Sequence, residues 1–458
     1  EGGNPLSGIT VYLDNDSDGR SGQRDVGIDE PVTLTDQNGK FTFESLGSRI
    51  VSVRTDLDVT FEQTSPTGNQ FESTTAPLLT GPRGPSAPQS MQTADFNRDG
   101  FPDLAILEGE LNYLAIRFND TQGGFPANDL QIGLADDLGS EGILFPKELV
   151  IGQFNDEHSG LDVAIVGFSS DEVLVLRDFD PLDNRFESRS VIPVGTKPND
   201  IVVGDFNHDT STDLAIVNRG NLHVANDGSV EILFNDGSGN FVSGSTHAVP
   251  GENPIAIVAA DFDHDGLPDD LAVLMPTPNR SGSTSGDIAL FLNDDSGGFV
   301  HDGGYYPVGA QPNEMVVGDF NNDTFADVAV SNVATASISI LVGDPSGGLT
   351  RSPHSPATSN KGVDRMVVAD INLDGRQDLI GTRLDDTRVA LFRNASEQQD
   401  DVRFEPVDVV GLFNFRISSR STIAVANFDQ DRSGPLGEGT LDIVTLPRSS
   451  GELNVLRN

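Results

Sequence analysis

Short apolar runs alternate with polar, turn-rich segments along most of the chain, and residues 200–241 show the unit. Asp200-Ile201-Val202-Val203 leads into the polar stretch Asp205–Asp213, and Leu214-Ala215-Ile216-Val217 follows at once. Val230-Glu231-Ile232-Leu233-Phe234 is a third run, after which Asn235-Asp236-Gly237-Ser238-Gly239 turns into Asn240-Phe241 and a fourth. Short aliphatic runs bounded by Gly, Asn and Asp read as strands, and no stretch carries the periodicity of an amphipathic helix. Equivalent third runs stand at Ile288–Leu292, Ile338–Val342 and Val389–Phe392.

The polar stretch between the first and second strands is itself a repeated motif. Its complete copies place oxygen-bearing side chains at the first, third, fifth and ninth positions: Asp95, Asn97, Asp99 and Asp103; Asp205, Asn207, Asp209 and Asp213; Asp261, Asp263, Asp265 and Asp269; Asp319, Asn321, Asp323 and Asp327; Asp370, Asn372, Asp374 and Asp378. In the third of these Asp269 and Asp270 compete for the ninth position. Two copies are incomplete. Residues 153–162 carry Asn155, Glu157 and Asp162 but open on Gln153, and a longer loop offers Asn427, Asp429, Asp431 and Asp442.

That spacing is the ligand spacing of a calcium loop. Carboxylates about 5 Å apart repel by roughly 3 kcal/mol per pair at an effective dielectric of ~20, and a hard cation converts this repulsion into coordination. The expected cofactor is Ca2+, in the five complete loops and, more weakly, in the two incomplete ones. The residue at the second position (Phe96, Phe154, Phe206, Phe262, Phe320 and Phe428, with Ile371 once) is expected to pack between neighbouring units. His208 and His264, at the fourth position, are expected to point outward.

Motif starts at 95, 153, 205, 261, 319, 370 and 427 give intervals of 58, 52, 56, 58, 51 and 57 residues, room for four short strands each. A four-stranded sheet cannot bury both faces alone and must stack on its neighbours around an axis, which predicts an all-β, seven-bladed β-propeller. With their GDFN-x-D-x-x-x-DLAV-type signature, the repeats resemble the FG-GAP or VCBS repeats of integrin alpha-chain heads and of many bacterial surface proteins. The resemblance implies seven blades, with calcium held between the first and second strands of a blade. The last repeat ends on a third strand, Leu453–Asn458, so its fourth must come from elsewhere. The stretch near 71–80 is expected to supply it, in competition with the assignment of 61–75 to the preceding domain.

Residues 1–76 lack the repeat and are expected to form a small N-terminal β-sandwich, with the propeller over 77–458. Ile9–Leu13, Pro31–Thr35, Lys40–Phe43 and Ile50–Arg54 alternate as strands, and Asn38-Gly39 is a hairpin signal. Asp14, Asp16, Asp18 and Asp25 have EF-hand-like spacing, with Asp at the twelfth position, and predict one further calcium site. Val11–Asp14, the acidic loop, Thr35–Phe43 and the closing valine strand resemble the Cna-B-like or SdrD-B-like domains of bacterial surface proteins. The crosslinking lysine of some members has its sole counterpart in Lys40, read here as an exposed turn residue.

Lys and Arg number 28 against 71 Asp and Glu, a net charge of −43, which argues against nucleic acid and anionic lipid as partners. There is no cysteine, so disulfides and thiol chemistry drop out, and repeated metal loops are the alternative staple for a secreted chain. No apolar run approaches the ~18 residues of a membrane span. The opening Glu1–Pro5 lacks a basic or apolar leader, as expected of a mature or excised piece. No nucleophile elbow, phosphate loop or distinguishable acid–base pair is present, and no enzyme activity is expected. The favoured reading is an extracellular, secreted or cell-surface interaction module for adhesion or protein–protein binding, its partner a protein or glycan at the cell surface, with self-assembly open. The alternative is a carbohydrate-binding lectin or a calcium-dependent polysaccharide-active enzyme. The long connections Asn218–Ser229 and Pro276–Asp287, on the rim opposite the metal loops, are where binding is expected.

Overall fold

The computed structural model describes the backbone of residues 10–14, 32–34, 52–55 and 72–77, and residues 88–457 apart from 127–129, 136–141, 156–159, 222–223, 225–226, 277–284, 295, 346, 355–361, 384–388, 397–401, 409–420, 431–439 and 448–451. The chain divides into two compact units, Glu1–Asn69 and Gln70–Asn458. In the first, Thr10–Asp14 lies between Val32–Leu34 and Ser52–Thr55 in an antiparallel sheet. Three of the four expected strands are thus present; the hairpin turn and the strand expected at 40–43 lie outside the described residues.

The second unit is a wheel of seven four-stranded antiparallel sheets among the described residues, with a short additional strand in the fourth. We letter the strands of a blade A to D from the axis outwards. Blade 1 comprises Pro88–Ala94, Asp103–Glu108, Tyr113–Arg117 and Leu130–Gly133. Strand A of each blade lies against strand A of the next, and Ser421–Ala426 of blade 7 lies against Pro88–Ala94 of blade 1, so the ring closes. Blade 7 completes itself with Glu72–Pro77, which pairs antiparallel with Glu452–Arg457. Closure therefore follows the favoured expectation. The same strand moves the division between units to 69/70, ahead of the expected 76/77, because 72–77 is a structural part of the wheel.

The apolar runs follow from this stacking. Strand B of each of blades 1–6, for example Asp213–Asn218 and Asp327–Asn332, is buried along its whole length. Both faces of the strand meet a neighbouring blade, so the sequence reads as a continuous run instead of an alternation. The outer strand Phe241–Ala248 is exposed or half-buried at every position after Phe241. Each of the seven interblade gaps holds its own apolar cluster. Phe96, Phe154, Phe206, Phe262, Phe320, Ile371 and Phe428 each insert into a different one, as expected of the second position. Four of them meet a phenylalanine of the next blade edge-on at 5.3–5.9 Å, in the pairs Phe96–Phe179, Phe154–Phe241, Phe206–Phe299 and Phe320–Phe404. Phe428 meets Phe125 in the same way across the closing seam. Truncating such a ring to alanine costs about 3–5 kcal/mol.

Candidate metal centres

Four of the five complete loops share one hydrogen-bonding pattern, held by their own carboxylates; in the loop of blade 4 Asp261 instead accepts the N–H groups of His264 (2.7 Å) and Gly266 (3.0 Å). In the first, Asp95 accepts the backbone N–H groups of Asp99 (3.1 Å) and Gly100 (2.8 Å), and Asp99 accepts that of Phe101 (2.8 Å). Asp205, Asp319 and Asp370 bind the equivalent pairs of N–H groups in their loops. The fourth and sixth positions are left-handed in all five, as at His208 (φ 58°) with Thr210 (φ 73°) and Asn322 (φ 57°) with Thr324 (φ 75°). Gly100, Gly266 and Gly375 take the sixth position without strain, but Thr210 and Thr324 are β-branched residues held where few such residues sit.

The ninth carboxylate lies beneath this loop. Asp103, Asp213, Asp327 and Asp378 are fully buried. One oxygen accepts the N–H of the second-position residue (2.9 Å from Phe96, 2.8 Å from Phe320), and the other accepts an N–H at the end of strand C (2.8 Å from Asn119, 2.8 Å from Gly343). Burial pushes Asp103, Asp213, Asp270 and Asp378 up to about 6 and Asp327 up to about 7, against the lowering effect of these N–H groups. A second device, which sequence reasoning missed, completes the seam. The side-chain amides of Asn119, Asn235, Asn293 and Asn394 donate to the carbonyls of Phe428, Phe154, Phe206 and Phe320 in the preceding blade at 2.7–2.9 Å. The recurring Asn at the end of strand C was the available signal; it read as part of the turn that follows.

The fourth position departs from expectation. His208 Nε2 lies 2.7 Å from Asp269 Oδ2 in the next blade, and His264 reaches the carbonyl of Asp344 (2.6 Å) and packs against the Phe325 ring at 4.1 Å, tilted by 55°. Asn322 donates to the carbonyl of Gly375 (3.3 Å), and Gln430 to that of Gly100 across the closing seam. A left-handed residue at this point turns its side chain sideways along the rim, so these groups join loop to loop instead of pointing into solvent.

Asp269 is likewise corrected. Strand B of blade 4 begins one residue later than the motif count implies, with Asp270 opposite Ala260, as Asp213 stands opposite Gly204. Asp270 therefore accepts the N–H groups of Phe262 and Asp263 (both 2.9 Å), while Asp269 pairs with His208. Asp261, Asp263 and Asp270 bring one carboxylate oxygen each within 4.8 Å of one another, a spacing a hard divalent cation fits. Asp265 stands on the same loop, its backbone N–H held by Asp263 (3.1 Å).

In four loops the third residue is an Asn whose Nδ2 lies 2.7–3.0 Å from the fifth-position carboxylate: Asn97 on Asp99, Asn207 on Asp209, Asn321 on Asp323 and Asn372 on Asp374. In the incomplete second loop Asn155 donates to Asp178 (3.2 Å), and Asp162 keeps the seam role with Phe154 (2.6 Å) and Asp178 (2.7 Å). In the seventh, Asp442 accepts from Phe428 (3.0 Å) across the insertion, Asn427 and Asp429 are in place, and Asp431 lies outside the described residues. Asp14 ends its strand, and Asp16, Asp18 and Asp25 lie outside the described residues.

Residues 220–272 and 319–381 match the family model of the FG-GAP-like repeat. The chain carries FG-GAP-like repeats on a seven-bladed β-propeller. The matched repeats take in the loops of blades 4, 5 and 6. Among solved structures, a functionally unknown protein from Desulfotomaculum acetoxidans DSM 771 is similar at 14% identity and a TM-score of 0.50, over 77% of this chain and 90% of that one. BBS1N, crystallised in complex with ARL6DN, is similar at 14% identity and a TM-score of 0.49, over 81% and 93%. The Dos1 propeller is similar at 10% identity and 0.49, over 81% and 78%. At these identities the likeness is one of fold alone. No curated protein matches the chain.

Proposed function

We propose that the FG-GAP-like propeller is a calcium-stabilised extracellular interaction module of a secreted or cell-surface protein. The observation that carries the calcium reading is the repeated loop: oxygen-bearing side chains at alternate positions over a buried ninth carboxylate, with the backbone held left-handed at Thr210 and Thr324, and in blade 4 three carboxylates, Asp261, Asp263 and Asp270, drawn within 4.8 Å of one another. Calcium supplies the counter-charge, from Asp95, Asn97, Asp99 and Asp103 in the first blade and the equivalent residues in the others, with Asp270 in place of Asp269. Its role is architectural, because the same loops carry the Phe rings that pack between blades and the carbonyls that accept the Asn side chains of the next blade. Affinities in the range of extracellular modules, about 0.1–1 mM, suit such sites.

A rigid wheel with FG-GAP-like repeats and long connections on one rim suits protein–protein binding, and the absence of a nucleophile or acid–base pair in the motifs favours a module without catalysis. Residues 1–69 are read as a Cna-B/SdrD-B-like stalk. The test is thermal unfolding with calcium and with a chelator. Sites filled to 100 times Kd contribute about 2.7 kcal/mol each, so chelation is expected to lower Tm by on the order of 10 °C or more. An unchanged melt removes the calcium reading, and turnover in a polysaccharide depolymerisation assay replaces the non-catalytic one.

A further inference from the structure

At the end of the axis away from the metal loops, each strand A contributes one side chain to a ring: Ser90, Glu148, Asp200, Ala256, Glu314, Arg365 and Thr422. Strand A carries a register shift just before this position in blades 1, 3 and 5, between Pro88 and Ser90, Pro198 and Asp200, and Pro312 and Glu314. Such bulges re-aim a side chain. The ring meets across the axis. Arg365 of blade 6 lies 2.9 Å from Glu314 and 3.3 Å from Glu148 of blade 2, and its second nitrogen donates to the carbonyl of Gln89 in blade 1 (2.8 Å).

The ring borders a cavity of about 480 Å³ that opens beside Arg219 and Pro276, where the two long connections leave strand B. Beneath it lies a smaller cavity of about 260 Å³, bordered by Ile201, Ile257, Met315, Met366 and Ile423. Three carboxylates thus face one guanidinium, and both cavities share Glu148, Asp200, Glu314 and Arg365. Asp200 is held by the backbone N–H groups of Ile201 and Ile257 (both 2.9 Å), and its proximity to Glu148 and Glu314 adds repulsion to the burial that pushes it well above the carboxylate range. An independent sign of a missing partner comes from blade 7. Ser421 and Thr422, each 3% exposed, border the same cavity with hydroxyls that have no hydrogen-bond partner. A metal ion is a poor fit, since Arg365 places a fixed positive charge between Glu148 and Glu314 and the cavity is large for a bare ion.

We propose that the axial cavity binds an organic cation, a guanidinium or ammonium group, through Asp200 and Glu314 with the hydroxyls of Ser421 and Thr422. Ala256, between these two carboxylates in the ring, leaves the room for it. The net charge of −43 draws cations toward the wheel, and enclosure away from bulk water strengthens the pairing once the group has entered. The group arrives on a free small molecule or on a side chain of a protein partner.

The test uses the full chain at fixed, saturating calcium, so that it is independent of the loop sites. Agmatine and a capped Gly-Gly-Arg-Gly-Gly peptide are titrated calorimetrically, with the citrulline peptide as the uncharged control. At least one cationic probe is expected to bind and the citrulline peptide to stay silent. Binding by agmatine as tight as by the peptide assigns the site to free ligands, and tighter binding by the peptide assigns it to a partner's side chain. Asp200→Asn is expected to weaken binding about tenfold, the loss of one charge-assisted contact. Ala256→Arg, which tethers a guanidinium in the gap, is expected to abolish binding and raise Tm. No heat from either cationic probe at ~10 mM overturns the proposal, as does binding that survives both substitutions unchanged.

Discussion

The two ends of the wheel use charge in opposite ways. At the loop end every blade buries an aspartate at the same point, from Asp103 round to Asp442, and each accepts the N–H of the residue at the second loop position. At the axial ring no two adjacent blades agree: serine, glutamate, aspartate, alanine, glutamate, arginine and threonine follow one another. A feature that recurs with the blade answers a need that recurs with the blade, namely satisfying the backbone where strand A turns into strand B. A feature that varies around a nearly symmetric ring has no such need behind it. It makes the axis asymmetric, and an asymmetric cluster of charges suits one orientation of one ligand.

Three measurements sharpen or break this contrast. The largest effect is expected at the loop end. Asp327→Ala leaves the N–H groups of Phe320 and Gly343 buried without an acceptor, at a cost of roughly 2–5 kcal/mol. Chemical denaturation reads it directly, and a loss under 1 kcal/mol would show that the buried carboxylates are not what holds the blades.

At the axis the effect is one of pH. Burial and the neighbouring Glu148 and Asp364 outweigh Arg365 and push Glu314 up to about 7 from its ordinary 4.5. The folded chain then holds a proton that the unfolded chain releases. Stability from this group is fully present below pH ~4.5 and falls as pH rises to ~7, by up to about 1.4 kcal/mol per pH unit. With calcium present, Glu314→Gln is expected to flatten stability against pH in that window. An unaltered slope would mean that Arg365 keeps Glu314 ionised throughout. The smallest effect is Thr324→Gly, which relieves a left-handed β-branched residue (φ 75°) and is expected to stabilise the calcium-free chain by about 1 kcal/mol. Destabilisation would indicate that the threonine side chain supports the loop.

Much of the loop end was legible in the sequence because its chemistry is local. Alternate oxygens over nine residues, a phenylalanine at the second position and an apolar run immediately after require only a strand, a turn and a strand. Blade number and the closing strand near 72–77 followed from the repeat and from the missing fourth strand of the last copy. Where local counting erred, register was the reason. Asp269 and Asp270 are equivalent on paper, and only the pairing of Asp270 with Ala260 separates them.

The axial ring was not legible at all. Glu148, Asp200, Glu314 and Arg365 follow one another at separations of 52, 114 and 51 residues, each within an ordinary strand, and nothing in any one repeat marks them. The sequence by itself determined the strands, the repeat and the acidic loops, because each depends on residues adjacent in the chain. Only the tertiary structure decided which blades touch, which asparagine caps which neighbouring carbonyl, and which side chains meet on the axis. Those contacts exist only once the sheets have closed into a ring, which brings distant residues to one point.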